Sequence, residues 1–217
     1  APKPSNSPFA PLVHRSSPGL ASEPGSRGWT REHPRHTAGL LSGLARWGES
    51  VAVGTTDGEV FEVSAAGAWT KLGPRRNVSI VALASIDARV LYVLDADGAV
   101  FRTVDGRNFK QVRPPPALGT DERREAGDWR PYRTLSARQV KGKEMVLVAG
   151  LSRHAAYSRD AGNSWEEVEL GGPETLRASF VGANGDFVVA GDRGRVFVGP
   201  REGKGWDEHH IAEKPAI

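Results

Sequence analysis

The segment Val51-Ala-Val-Gly-Thr-Thr-Asp-Gly-Glu-Val-Phe-Glu-Val63 holds two strand signals around one turn. Val51 to Gly54 is a short apolar run suited to a buried strand, and Gly58 to Val63 alternates polar with apolar residues as a second strand does. Between them, Thr56-Asp57-Gly58 is a turn in which glycine takes positive φ without a side-chain clash. The plan returns downstream in Arg89-Val-Leu-Tyr-Val93 and Asp97-Gly-Ala-Val-Phe101, with Asp97-Gly98 lying 40 residues after Asp57-Gly58. Two aromatic registers keep the same beat: Trp29, Trp69, Phe109, Trp165 and Trp206, and beside them Phe61, Phe101, Tyr157 and Phe197. Their spacings are 40 or 41 residues, apart from one gap of 56 in each register.

Worked outward, the beat divides the chain into repeats at about 37–73, 77–113, 133–170 and 174–211. Leu40, Leu41 and Leu44 open the first; Glu144 to Val148 marks the third, and Phe187 to Gly191 with Arg195 to Val198 marks the fourth. A single small sheet has two faces and can bury neither alone, whereas sheets stacked radially bury both. The expected fold is all-β: a β-propeller of four-stranded antiparallel blades, with four complete repeats and a partial blade at the N-terminus marked by Trp29. The recurring outer aromatic is expected to fill the wider gap between neighbouring sheets. Trp47 and Trp129 fall outside the register. Four units are few for a ring, and an open array exposes apolar sheet faces at both ends. Three arrangements are open at this point: a four-bladed ring with 1–36 as an accessory arm, a piece of a longer chain, or a ring completed by another subunit.

Residues 1–28 are rich in proline, serine and glycine and read as an arm or linker ahead of a propeller-like domain at 29–217. The gap of 56 is explained by an insertion at 114–132, which runs from Pro114-Pro-Pro through a charged stretch to Gly127-Asp-Trp-Arg-Pro-Tyr132. Insertions in such arrays emerge as loops on a face that often binds. Arg123, Arg124, Trp129 and Tyr132 are the candidate partner contacts within it.

At 217 residues the chain fits one all-β domain. It has no cysteine, which excludes disulfides, thiolate zinc sites, iron–sulfur clusters and cysteine nucleophiles. The formal charge of +3 is mild, so no nucleic-acid partner is expected. No apolar run reaches the length of a membrane span, and no transmembrane segment is expected. The Ala1-Pro-Lys-Pro start suits a mature terminus left by signal cleavage as well as a simple boundary, and a periplasmic or secreted location is the expectation.

One motif is specific. Ser158-Arg-Asp-Ala-Gly-Asn-Ser-Trp165 places Ser158 and Asp160 to bind local backbone donors, Gly162 to take a conformation closed to other residues, and Trp165 to plug an apolar gap. It resembles an Asp-box, the hairpin signature of sialidase-like and related propellers; Thr103-Val-Asp-Gly-Arg-Asn-Phe109 looks like a shortened copy. Together with Val51 to Gly54 and Asp57 to Phe61, it is similar to the photosystem II stability and assembly factor group and its bacterial relatives. Ala161 stands where that pattern has its first glycine. The resemblance implies an extracytoplasmic, non-enzymatic scaffold that handles a partner protein, including a membrane-protein complex. The arginine-lined surface of that group directs attention to Arg75, Arg76, Arg153, Arg193 and Arg195.

Enzymatic readings fare less well. Sialidases resemble one another in an Arg-Ile-Pro segment that is absent here, and Tyr132 with Glu125 or Asp128 is the sole candidate for their nucleophile pair. A glycosidase needs two carboxylates a few ångströms apart. Asp57, Asp97 and Asp192 occupy like turns in three of the four repeats, which marks them as structural. His33 with His36 and His209 with His210 lack acidic partners at ligand spacing, and no Gly-rich nucleotide loop occurs. No catalytic, metal or cofactor residue is therefore assigned. The expected function is a non-enzymatic protein-binding scaffold or assembly factor using a propeller face and arginine-rich loops. The alternatives are a structural subunit that completes its propeller with a second chain, and a glycoside hydrolase or glycan-binding propeller.

Overall fold

Each repeat folds as one antiparallel meander. In the computed structural model, which describes residues 39–114, 132–200 and 205–211, blade 1 contains β1 (Leu41–Trp47), β2 (Ser50–Thr55), β3 (Val60–Val63) and β4 (Trp69–Leu72). Blade 2 contains β5 (Ile80–Ile86), β6 (Val90–Asp95), β7 (Val100–Thr103) and β8 (Lys110–Arg113). Blade 3 contains β9 (Tyr132–Val140), β10 (Lys143–Gly150), β11 (His154–Ser158) and β12 (Glu166–Glu169). Blade 4 contains β13 (Leu176–Val181), β14 (Phe187–Gly191), β15 (Arg195–Gly199) and β16 (Asp207–His210). The four sheets run in simple sequence order, and the described residues include no α-helix. Short 3-10 turns at Leu151–Arg153 and Asp192–Gly194 stand where the first two blades use Asp-Gly turns. Trp29 and residues 1–36 lie outside the described residues.

The middle strands are continuously apolar because both of their faces are buried. Successive side chains on a strand point to opposite faces. Leu91 and Val93 of β6 thus pack with Ala52, Val60 and Leu72 of blade 1, while Tyr92 and Leu94 pack with Leu135, Val146 and Val148 of blade 3. Leu147 and Ala149 of β10 turn the other way, to Phe187, Val189 and Phe197 of blade 4. Three cores result, one at each junction between consecutive blades. Among the described residues no fourth core joins blade 4 to blade 1. The first strands β1, β5, β9 and β13 lie beside one another in turn and form the inner edge.

Each junction also holds an arginine laid on aromatic rings, an attraction between a cation and the ring quadrupole. The Arg76 guanidinium is 3.3 Å from the centre of Phe101 and 5.5 Å from that of Phe109. Arg113 lies 4.7 Å from Tyr132 and 5.5 Å from Trp165, and Arg153 lies 5.2 Å from Phe197. The outer aromatics reach back to the preceding blade. Trp165 Nε1 donates to the Val112 carbonyl at 3.0 Å. Phe109 rests on Gly73, where a Cβ would come within 2.5 Å of the ring.

The inner aromatic register is broken in blade 3. Val53, Val93 and Val189 pair with Phe61, Phe101 and Phe197, but the matching Val148 pairs with Ala156. Tyr157 therefore faces the opposite way and packs on Phe187 at 4.7 Å. The Asp160-to-Trp165 hairpin is one residue longer than Asp105-to-Phe109. That extra residue shifts the outer aromatic against the strand and brings Tyr157 into apparent step.

At the second junction Glu144 accepts hydrogen bonds from Tyr92 Oη at 2.5 Å and from Arg102 Nε and Nη2 at 2.8 and 2.6 Å. The Arg102 guanidinium holds this carboxyl below the usual glutamate range. A carboxyl depressed on folding contributes stability above its unfolded-state value and loses it as pH falls through the folded one. The melting temperature is thus expected to drop below about pH 4.3, and Glu144→Gln should flatten part of that drop while lowering the melting temperature at pH 7. An unchanged acid slope in the variant, read by thermal melts across pH, would remove Glu144 from the account.

Candidate functional site

The inner strands share one irregularity. Each pairs with its neighbour through a shift of register at its first residues: Leu41/Gly43 in β1, Ile80/Ala82 in β5, Tyr132/Thr134 in β9 and Leu176/Ala178 in β13. The extra residues are Ser42, Val81, Arg133 and Arg177. A β-bulge re-aims the side chain it carries and recurs near functional sites. In a meander this end of the inner strand is also the end where the blade-to-blade connections and the β2–β3 class of turns lie.

Backbone and side-chain bonds knit that end together. The Arg76 amide donates to the Gly58 carbonyl at 2.9 Å and the Arg153 amide to that of Glu174 at 3.0 Å. Arg177 grips Asp192 with Nε to Oδ1 at 2.5 Å and Nη2 to Oδ2 at 3.3 Å, which holds that carboxyl below its usual range. Arg133 and Arg177, with Leu151 and Thr175, line a cavity of about 230 Å³ between blades 3 and 4. Arg133 is exposed and has no ion pair among the described residues. The arrangement is a shallow cationic mouth suited to binding carboxylates, because the guanidinium fork takes both oxygens of one group.

The residues singled out in the sequence divide into three groups. Arg75 and Arg193 are exposed at this end, Arg75 donating from Nε to the Asp57 carbonyl at 3.0 Å. Arg76 and Arg195 are half-buried, the first on Phe101 and the second ion-paired with Glu208. Arg153 and Tyr132 are buried and unavailable to a partner as contacts. Arg153 pairs with Glu174 at 2.7 Å beside Phe197. Tyr132, only 2% exposed, begins β9 rather than ending a loop, and its hydroxyl accepts from Arg113 at 2.8 Å and donates to Glu167 at 3.0 Å. Both are drawn inward by partners at a blade junction: the Phe197 ring and the Glu174 carboxylate for Arg153, the Arg113 guanidinium and the Glu167 carboxylate for Tyr132. Arg123, Arg124 and Trp129 lie outside the described residues.

The Asp-box residues are placed in the hairpin from β11 to β12. Ser158 Oγ donates to Asp160 Oδ1 at 2.8 Å and accepts from the Gly162 amide at 2.8 Å. Asp160 accepts from the Ser164 amide at 2.9 Å and its hydroxyl at 2.6 Å, bonds that keep the carboxyl below its usual range. Gly162 sits at φ +86°, where an added Cβ would come within 2.8 Å of Val112. Blade 2 repeats the device with Thr103 and Asp105.

Arg133 and Arg177 escape a reading based on motifs. Their signal is positional: each follows the apolar residue that opens its repeat, Tyr132 in one and Leu176 in the other, 44 residues apart. Among the described residues no group of three histidine or acidic side chains is placed to hold a metal ion, and no helix is long and apolar enough to cross a membrane.

Comparison with solved structures places this architecture among β-propellers of several kinds. YCF48 bound to D1 peptide superposes with a TM-score of 0.56 at 12% identity, covering 81% of this chain and 56% of that one. U3-55K gives a TM-score of 0.64 at 13% identity over 81% of this chain and 53% of its own. A catalytically inactive virginiamycin B lyase from Staphylococcus aureus with quinupristin gives 0.60 at 12% over 82% and 58%. The chain thus spans just over half the length of these propellers. No family model matches the sequence, and no curated protein matches it.

Proposed function

We propose that the chain is a non-enzymatic scaffold that receives an acidic segment of a partner protein at the arginine-bearing end of its inner strands. The observation that carries this reading is the pair of bulge arginines, Arg133 and Arg177, lining one cavity. Asp192 already fills the fork of Arg177 and serves as an internal example of the ligand group; Arg133 offers the second fork, with Arg75 and Arg193 farther along the same end. A propeller of this fold bound to a peptide supports a peptide as the ligand class.

A fluorescein-labelled oligoglutamate peptide, titrated by anisotropy, tests the reading. Arg133→Glu should weaken binding at least about tenfold, equal to about 1.4 kcal/mol, and added salt should weaken the wild type alone. Equal affinity of wild type and variant, or equal binding of a neutral peptide, would overturn it.

A further inference from the structure

Blade 4 carries a face made for a following blade. Phe187, Val189 and Phe197 turn to blade 3, so Val188, Ala190, Val196 and Val198 turn away from it, beside Ala178 and Phe180 of β13. In blade 3 the same register positions hold Leu147, Ala149, Ala155 and Tyr157, all buried against blade 4. None of the six blade 4 side chains is buried, and Phe180 is 54% exposed.

Blade 1 carries the opposite kind of face, made for a preceding blade. Leu44 pairs with Val53 as Leu83 pairs with Val93, yet Leu44 is 69% exposed where Leu83 is 7% exposed. Leu41 and Val51 are open beside it, where Ile80 and Leu91 of blade 2 are buried. Farther out Trp69 lies edge-on to Phe61 at 5.9 Å, so the open part is the inner half.

We infer that these two faces bind each other in two copies of the chain, blade 4 of each against blade 1 of its partner, closing a two-fold ring. The occupant is a second copy for three reasons. Unlike ends on one chain are both covered when two copies meet head to tail and the rotation closes, whereas an unrelated partner would have to imitate two different blade faces. The chain covers 53–58% of the length of the propellers described above, so an array of its size leaves a large part of such a ring for a second body to fill. The rim charges are exchanged between the open ends: Lys71, half-exposed and paired within its own blade to Glu59 at 2.8 Å, holds in blade 1 the position of Glu167, and Asp207 holds in blade 4 that of Lys110, with His209 in the place of Arg113. An ammonium and a carboxylate are thereby brought to opposite sides of the closing junction.

The experiment uses the full chain. Light scattering after size exclusion should give twice the 23.3 kDa chain mass, and Phe180→Asp should halve that mass with an unchanged circular dichroism spectrum. Register supplies a second readout. Thr134 Oγ1 and Ser179 Oγ meet at 2.7 Å across the third junction, and Ala178 and Leu44 hold those two positions at the open ends. Since the chain has no cysteine, the Ala178→Cys, Leu44→Cys double variant should oxidise to a covalent dimer and stop there. A wild-type monomer, a Phe180→Asp variant that keeps the doubled mass, or a ladder of larger cross-linked species would each overturn the closed ring.

Discussion

Arg113→Ala is expected to lower the stability of the domain by about 2–3 kcal/mol, the range for a side chain whose charged hydrogen bonds are lost from a buried site. Arg113 is buried at the outer edge of blade 2 and ties three groups of two blades together: the Gly98 carbonyl at 3.2 Å, the Tyr132 hydroxyl at 2.8 Å and the Glu167 carboxylate. Glu167 is largely exposed and can be rehydrated, so its share of the loss is small. The larger share is the Tyr132 hydroxyl, left with one partner, and the gap beneath the Tyr132 and Trp165 rings. Arg113→Lys should recover less than half, since an ammonium cannot lie flat on a ring while bonding two separate acceptors. In thermal melts the alanine variant should fall by roughly 5–10 °C for a chain of this size. A loss below about 0.5 kcal/mol would place Arg113 among ordinary surface residues.

Phe187→Ala should cost about 3–5 kcal/mol, the usual toll for removing a fully buried phenylalanine. Its ring packs on Tyr157 at 4.7 Å and lies under the Arg159 guanidinium at 5.1 Å, all within the third junction. In stacked repeats each unit depends chiefly on its nearest neighbours. Hydrogen exchange should therefore quicken in β14, β15 and β11 while β6 and β7, protected by the other two cores, stay near wild type. Uniform loss of protection through all four blades would show a single cooperative unit instead.

The fold was legible because burial on both faces leaves a plain trace: the strands around Tyr92 and Leu147 are apolar without interruption, and their turns fall at fixed intervals. What did not show was which way a given side chain points. Tyr157 kept step with Phe61 and Phe101 only because a hairpin grew by one residue, and hydrogen-bond register, not spacing, sets the face. The arginines were harder still. Arg153 and Arg193 lie within similar turns, yet one finds Glu174 and the Phe197 ring within reach and is buried, while the other remains in solvent. A contact between sheets joins residues far apart in the chain, and no local pattern announces it. Arg133 and Arg177 were hidden for a different reason: a bulge is a property of pairing, and pairing is visible only once the neighbouring strand is in place.

Two flat slabs touching along one edge diverge by whatever angle their filling allows. Here the filling beyond the inner strands includes a guanidinium laid on a ring at all three junctions, 3.3, 4.7 and 5.2 Å from the ring centre in turn, so a spacer of one kind stands between each pair of slabs. A circle accepts only a whole number of such steps. The arginines therefore do more than fasten neighbours: as part of that filling they bear on the angle between sheets, and a thinner spacer at any junction would tighten the curve even with every sheet intact.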